Sequence, residues 1–352
     1  MRRTLVVMGA ALGVLGGLML AQAAGADDAP HPQQFQNWRL PAVVAGPVDN
    51  TTTPERVALG QRLFFDTHLS SDRSTACATC HDPAKGWSDG LPTAHGLNGK
   101  VLRRASPTVL NAAYNPLQMW DGRFVSLEEQ VLGPMRSPDE MNTDIPGLVR
   151  FLRSDPVYQA QFARAYPQMP IDEQSVARAI AAFERTLLVT DTRFDRWLAG
   201  EPNVLSAAEL RGLQVFMDPA RGNCEVCHSA PNFTDNGFHN IGLASFGASD
   251  ADPGRFAKKP VRSMQGAFKT PSLRGVTDTA PYFHDGSAAT LRDVIEHYAR
   301  GGDVKTNLSP NLKPLQLSTQ EKDDLLAFLQ SLAAPQRLAV MQASTVGQGA
   351  PP

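Results

Sequence analysis

Hydrophobic residues recur at helical spacing along most of the chain. Residues 172–188 place four apolar side chains on one helical face, namely Val176, Ile180, Phe183 and Leu187. Residues 318–332 begin with Ser318 three positions before Glu321, which is a capping-box pattern, and then become apolar. Strand-like alternation is scarce. The pattern therefore predicts an all-α fold.

Long loops rich in proline and glycine interrupt these helices, above all residues 82–108 and 229–272. Loops of this length usually serve a binding site or a cofactor. A short text also occurs twice, as "GQRLFFD" at 60–66 and "GLQVFMD" at 212–218. Both copies read Gly-x-x-aliphatic-Phe-x-Asp. The repeat indicates two related helical domains wrapped around something bulky.

The N-terminus has the form of a secretory signal. Arg2 and Arg3 precede a long apolar run and the small-residue site "AQAAGA". This predicts a signal peptide over residues 1–26, with an uncleaved membrane anchor as the alternative, because the run nearly reaches the ~20 residues that span a bilayer. No other segment could span a membrane. We expect an exported protein that is not membrane-embedded after cleavage, located in the periplasm of a Gram-negative source.

Composition narrows the class of protein. The 352 residues are 42% hydrophobic and 19% charged, which is ordinary for a soluble protein with room for two cores. The net charge is −2 and no basic stripe is present, so nucleic-acid binding is excluded. Residues 336–352 predict a disordered tail.

Four cysteines carry the strongest chemical signal. They form "CATCH" at 77–81 and "CEVCH" at 224–228. Cys-x-x-Cys-His attaches a c-type haem through two thioether bonds, and its histidine becomes an axial ligand. Structural disulfides need no histidine after each pair, and a zinc site shared by pairs so far apart would leave both histidines surplus. The motifs therefore predict two covalently bound haems, held by Cys77, Cys80, His81, Cys224, Cys227 and His228.

The segment "VIEHYARGG" at 294–302 holds a further ligand candidate. Thr290 and Asp293 form a capping box there. Helical spacing puts Tyr298 on the apolar face and turns His297 away from it. The alternative is that Tyr298 is a core residue whose hydroxyl is hydrogen-bonded to the backbone.

The chain resembles the bacterial dihaem cytochrome c peroxidase and MauG superfamily over residues 40–335. Besides both CxxCH motifs, the matching text includes "SPTVLNAAYNPLQMWDGR", "LEEQVLGP", "SPDEM", "FKTPSLRGV" and "APYFHDGSAATL". The resemblance implies two cytochrome c-like helical domains with one haem each. The N-terminal domain, residues 40–200, would carry the peroxidatic haem, and the C-terminal domain, residues 201–335, the electron-transfer haem.

The resemblance also implies roles for four residues. Trp120 of the "MWDG" motif would relay electrons between the haems. Gln130 and Glu140 would line the open face of the N-terminal haem, where Glu140 would move a proton from one peroxide oxygen to the other. Pro134 would shape the same pocket. A helix cap is the local alternative for Glu140, because Ser137 stands three positions before it.

Position 298 distinguishes two branches of this family. Ordinary dihaem peroxidases have a methionine ligand there, whereas MauG-type members have a tyrosine, as here. A phenolate favours oxidised iron, so the potential of the second haem should fall. The expected function is reduction of hydrogen peroxide to water through a high-valent state shared by both haems.

Three positions depart from the relatives or conflict with that function. MauG carries a surface tryptophan two residues before its second CxxCH, where this chain has Gly222. His95 stands where ordinary peroxidases have a loop histidine that blocks the first haem until the second haem is reduced. A second haem ligated by tyrosine is hard to reduce, so we expect the first haem to be open. Relatives also bind calcium with an asparagine where this chain has Ala105. Without that asparagine, the expected calcium ligands are main-chain carbonyls near Thr279 and Pro281.

Two other functions stay open. One is MauG-like oxidation of tryptophan or tyrosine side chains in a partner protein, and the other is a dihaem electron carrier. The expected electron donor of a peroxidase is a small c-type cytochrome or a cupredoxin. A homodimer is also expected.

Overall fold

The computed structural model describes residues 29–335, so the signal peptide and the tail that the sequence predicts lie outside the described residues. The described chain is mostly helical, as predicted. Its α-helices are α1 Pro54–Phe64, α2 Cys77–Cys80, α3 Leu127–Arg136, α4 Ile145–Ser154, α5 Pro156–Ala165, α6 Glu173–Glu184, α7 Arg193–Leu198, α8 Ala207–Met217, α9 Leu291–Arg300 and α10 Thr319–Ser331. Two short antiparallel strands, β1 Phe238–His239 and β2 Phe268–Lys269, accompany them. No helix within residues 29–335 is long and apolar enough to cross a membrane.

Helix ends follow the predicted caps. The Ser318 side chain accepts a hydrogen bond from the Glu321 main-chain nitrogen at 3.3 Å, and the Glu321 carboxylate accepts one from the Ser318 nitrogen at 2.8 Å. Thr290 and Asp293 make the same reciprocal pair at the start of α9. Gly301 ends α9 in the left-handed conformation with φ 71°. Helix α6 ends at Glu184, and Leu187 stays buried in the turn beyond it.

The apolar side chains form two main clusters. The first cluster lies between α1 and α3–α6, with Phe64, Ile180 and Phe183 fully buried. The second lies between α8, α9 and α10, with Phe216 and Phe328 at its centre. It also includes Phe194 and Trp197, which precede the predicted domain boundary at residue 200.

The sequence repeat corresponds to a repeated helix crossing. Helix α1 packs on α6, and α8 packs on α10 in the same way. A Cβ atom at Gly60 of α1 would collide with the main-chain oxygen of Ala179, and one at Gly212 of α8 would collide with that of Asp324. Each repeat therefore begins with glycine because the two helix backbones nearly touch there.

Polar contacts join the two halves of the chain. The Arg104 guanidinium binds both carboxylate oxygens of Asp252, at 2.8 and 2.9 Å. The Asn111 side chain donates a hydrogen bond to that of Asn232 at 3.0 Å. These contacts hold the segment of residues 104–123 against the second half of the chain; the segment includes Trp120, which lines both cavities described below.

Candidate active site

The first Cys-x-x-Cys-His motif forms the short helix α2 and the residue that ends it. Nδ1 of His81 lies 3.2 Å from the main-chain oxygen of Trp87, so its Nε2 remains to bind a metal. Burial lowers the pKa of His81 to about 4, which keeps the imidazole neutral. Both thiols are free of a disulfide, and burial raises the pKa of Cys80 to about 11.

The second motif repeats this arrangement. Nδ1 of His228 lies 3.1 Å from the main-chain oxygen of Phe233. Burial lowers the pKa of His228 as well. Cys224 and Cys227 are free of a disulfide. Each histidine is therefore oriented by a carbonyl five or six residues after it in the chain.

A cavity of about 460 Å³ faces the first motif. Cys77, Cys80 and His81 line it. The residues that the resemblance assigned to the peroxide side, Gln130, Pro134 and Glu140, also line it, as does the predicted electron relay Trp120. Gln130 and Pro134 lie one turn apart on α3, and because proline has no N–H, Pro134 leaves the carbonyl of Gln130 without its helical donor.

Glu140 does not cap a helix. Residues 138–141 form a turn, and the next helix, α4, begins at Ile145 after Asp144. The capping alternative for Glu140 is therefore wrong, and its half-buried side chain is available to the first cavity.

A second cavity of about 200 Å³ faces the second motif. Leu291, Val294, Ile295 and Tyr298 of α9 line it together with Cys224, Cys227 and His228. The Tyr298 hydroxyl has no hydrogen-bond partner among the described residues, unlike a core tyrosine bonded to the backbone. Burial, followed by the nearby thiols of Cys227 and Cys224, raises the pKa of Tyr298, so a phenolate there needs a metal or another positive charge.

His297 points elsewhere, as its helical position predicts. Its Nε2 lies 2.9 Å from the main-chain oxygen of Ile241, and its Nδ1 lies 3.3 Å from the Asp303 carboxylate.

Trp120 lines both cavities. Its indole nitrogen donates a hydrogen bond to the main-chain oxygen of Ala105 at 2.9 Å. Its own carbonyl accepts a bond from the Lys269 main-chain nitrogen at 2.8 Å. The His284 ring contacts it edge-on, with ring centroids 6.4 Å apart. The indole is thus fixed between the two sites by residues from both halves of the chain.

Three residues named from the sequence lie outside both cavities. His95 is exposed and does not line the first cavity, although its neighbours Ala94 and Gly96 do. Thr279 and Pro281 line neither cavity. Ala105 has no side-chain oxygen for a cation, and its main-chain N–H donates to the oxygen of His284 at 2.7 Å.

Comparison with known proteins decides the family. Residues 54–203 match the family model of the di-haem cytochrome c peroxidases. The methylamine utilization protein MauG of Methylorubrum extorquens is 43% identical over 298 residues, which are 84% of this chain and 83% of that protein. The cytochrome c551 peroxidase of Pseudomonas aeruginosa is 33% identical over 331 residues, which are 92% of each.

The chain belongs to the di-haem cytochrome c peroxidase family. The crystal structure of a MauG-like protein associated with microbial copper homeostasis is similar to it, with a TM-score of 0.80 and 33% identity over 86% of this chain and 97% of that one. As a member of the di-haem cytochrome c peroxidase family, the protein is an oxidoreductase with peroxidase-type chemistry. Family membership also implies two c-type haems.

The residues present fit two c-type haems. Each cavity gathers two thiols free of disulfides and a neutral histidine whose Nδ1 is already bonded. This is the donor set for two thioether bonds and one axial nitrogen. The two motifs line separate cavities, so the donors do not form one shared zinc site.

Three buried side chains that line the cavities were missed by the sequence reasoning. They are Glu184 in the first cavity, and Lys269 and His284 in the second. Burial lowers the pKa of Lys269 to about 8 and that of His284 to about 4. Only for Glu184 does the local pattern indicate burial, since it stands four residues after Ile180 within the apolar face of α6.

Proposed function

We propose that this protein is an exported, periplasmic dihaem peroxidase that reduces hydrogen peroxide to water. Its first cavity would bind peroxide, and its second would receive electrons from a donor. The observation that carries the proposal is the position of Trp120, which lines both cavities. A protein built only to carry electrons has no need for a carboxylate and an amide side chain in the same cavity as the histidine that would bind the iron, and Glu140 and Gln130 line the first cavity together with His81.

The cofactor would be held by side chains already named. Cys77, Cys80 and His81 would hold the first haem, and Cys224, Cys227, His228 and Tyr298 the second. When bound, the two irons supply the redox chemistry, as a two-electron oxidation by peroxide that both sites share. The N-terminal and C-terminal cytochrome c-like domains of residues 40–200 and 201–335 belong to this proposal.

The residues of the first cavity would handle the protons of peroxide. Glu140 takes the proton from one peroxide oxygen and returns it to the other, so that the O–O bond breaks with water as the leaving group. Gln130 offers an amide to orient the peroxide. Pro134 keeps that part of the cavity apolar and rigid.

Trp120 would pass electrons between the cavities without losing a proton. Its indole N–H donates to the peptide carbonyl of Ala105, and a peptide carbonyl is too weak a base to remove that proton. The indole therefore returns to its starting state when the next electron arrives.

The second cavity would set the direction of electron flow. Tyr298 and His228 line the second cavity, and a haem held by both would have an oxygen ligand that favours oxidised iron. The first site would then be open without the release of His95 from the iron, and the His95 side chain is exposed. The donor would be a small c-type cytochrome or a cupredoxin.

Oxidation of tryptophan or tyrosine in a partner protein is the second candidate, favoured by Tyr298 in the second cavity and by 43% identity to MauG. Gly222 opposes the route expected from the resemblance. A Cβ atom at Gly222 would collide with the main-chain oxygen of Val215, so a tryptophan there would displace the backbone. Calcium at the carbonyls of Thr279 and Pro281, and a homodimer, stay predictions.

Steady-state turnover separates the two candidates. The haem-loaded protein is mixed with hydrogen peroxide and a reduced small c-type cytochrome. Oxidation of two cytochromes for each peroxide, sustained over many turnovers, is the expected result. Peroxide-dependent activity that needs a protein substrate, with negligible cytochrome oxidation, would support the second candidate instead.

A further inference from the structure

Glu184 is a carboxyl group buried in the wall of the first cavity. It is the last residue of α6, and its side chain is 3% exposed. Ala112 and Leu127 line the cavity beside it, and with Ala181 they form a small apolar cluster. The Glu184 carboxyl is therefore almost fully buried in the wall of the cavity.

Glu184 forms no ion pair with a cation among residues 29–335. Its Oε2 has no hydrogen-bond partner among the described residues. Arg185, the next residue, turns to Glu128 of α3, with 2.6 Å between the guanidinium and carboxylate. The arginines of α1 are also engaged elsewhere, since Arg56 lies over the Tyr166 ring and Arg62 over the Tyr158 ring.

These surroundings favour the neutral acid. Burial raises the pKa of Glu184 to about 8, with a smaller lowering by Arg185 and a smaller raising by Glu128. The Cys77 thiol is also near, since the charge of Glu184 raises its pKa. As a haem thioether it would carry no charge. Because Glu184 is an acid with a raised pKa, its proton is retained below about pH 8 and lost above it.

The stoichiometry of peroxide reduction calls for such a group. Hydrogen peroxide takes up two electrons and two protons, its O–O bond breaks, and two waters form. The shuttle proposed for Glu140 moves a proton from one peroxide oxygen to the other and therefore supplies none. Both consumed protons must come from other acids or from solvent.

We propose that Glu184 is the internal proton store of the first cavity and provides one of the two protons that peroxide reduction consumes. The inference rests on the proposed function. The electrons come from the cytochrome or cupredoxin donor, the O–H bond of Glu184 breaks as an O–H bond of water forms, and solvent protonates Glu184 again.

Infrared difference spectroscopy of the haem-loaded protein detects this proton directly. The spectrum recorded below about pH 8 minus the spectrum recorded above it should contain the C=O stretch of a protonated carboxylic acid, shifted in deuterium oxide. The band should be lost in Glu184→Gln and kept in Glu140→Gln and in Glu129→Gln, where Glu129 is an exposed carboxylate of α3. Glu184→Asp, which keeps the acid, should show a displaced band.

The pH dependence of turnover gives a second readout. With saturating donor, the wild-type rate should be level below about pH 8, where the acid form persists, and fall above it. In Glu184→Gln it should be about 10²-fold lower at pH 7, because positioned proton transfer contributes at least that much, and it should lack this fall. Glu129→Gln should keep the wild-type profile.

Failure of the Glu184 assignment can be distinguished from failure of the proposed function. If wild-type protein consumes peroxide but its carboxyl band survives in Glu184→Gln, or is lost in Glu140→Gln, the assignment to Glu184 is wrong. If wild-type protein does not consume peroxide with any reduced donor, the proposed function falls, whatever the infrared spectrum shows.

Discussion

The indole nitrogen of Trp120 lies 2.9 Å from the main-chain oxygen of Ala105 and donates a hydrogen bond to it. Ala105 in turn donates its own N–H to the main-chain oxygen of His284 at 2.7 Å. Trp120 and Ala105 belong to the first half of the chain and His284 to the second. The side chain that lines both cavities is therefore fixed across the junction between them.

Replacing Trp120 by phenylalanine tests the electron relay. Trp120→Phe keeps an aromatic ring but removes the N–H bond, and phenylalanine is far harder to oxidise than tryptophan. We expect peroxide to oxidise the first site at the wild-type rate, while electron transfer from the second site slows sharply. Rapid-mixing absorption spectroscopy of the two haems measures both steps.

Trp197→Phe is the matched control, because Trp197 is buried in the second cluster against Phe35 and Phe194 and lines neither cavity. Equal slowing in both variants would mean that general loss of packing, and not the relay, is responsible.

Tyr298 is tested by two substitutions with opposite chemistry. Tyr298→Phe removes the oxygen ligand, so the second haem should become high-spin. Tyr298→Met offers a thioether, which should keep it low-spin and raise its midpoint potential. Potentiometric titration followed by absorption and EPR measures both effects. Tyr282→Phe, in the same cavity, should leave spin state and potential unchanged. An unaltered second haem in Tyr298→Phe would show that Tyr298 is a core tyrosine.

Glu140→Gln tests the proton shuttle at the peroxide. The amide cannot accept and return a proton, so the second-order rate constant for reaction with peroxide should fall by about 10²–10⁴-fold. Glu129→Gln on α3 removes an exposed carboxylate that accepts a bond from the Val125 main-chain nitrogen at 3.1 Å, and it should react at the wild-type rate. A Glu140→Gln rate within a few-fold of wild type would assign the shuttle to another group.

The two helix crossings predict a matched pair of stability effects. Gly60→Ala and Gly212→Ala each force a methyl group against a main-chain oxygen of the facing helix, and each should lower the free energy of unfolding by about 1–3 kcal/mol. Gly247→Ala is the control, since its nearest neighbour is a Val304 methyl carbon at 3.3 Å. Denaturant titration of the haem-loaded variants gives the three values. Wild-type stability in both crossing variants would refute the close approach.

Much of this protein is predictable from its sequence because local patterns fix it. Capping boxes marked the starts of α9 and α10, and both were confirmed by reciprocal hydrogen bonds. Helical spacing placed Tyr298 on the inner face of α9 and His297 off it, as the second cavity shows. The long loops line the cavities, with Phe268 among the contributors to the second.

Other features depend on contacts between distant segments. Glu184 is separated from Cys77 by more than 100 residues, and only the packing of α6 against α1 and α3 brings it to the first cavity. The Ser137–Glu140 pattern looked like a helix cap, but the chain turns there instead, so the local pattern was misleading. Lys269 and His284 lie in two of the segments that carry the family resemblance, but no local pattern predicts their burial, which follows from the junction around Trp120.

Low-temperature EPR of the ferric, haem-loaded protein, before and after one equivalent of hydrogen peroxide, tests the central claim most directly. An open first site beside a second site ligated by His228 and Tyr298 should give one high-spin and one low-spin signal, and both should be lost on adding peroxide. Two low-spin signals that persist with peroxide until the protein is half-reduced would contradict it. In that case His95 would be the gating ligand of a reductively activated peroxidase.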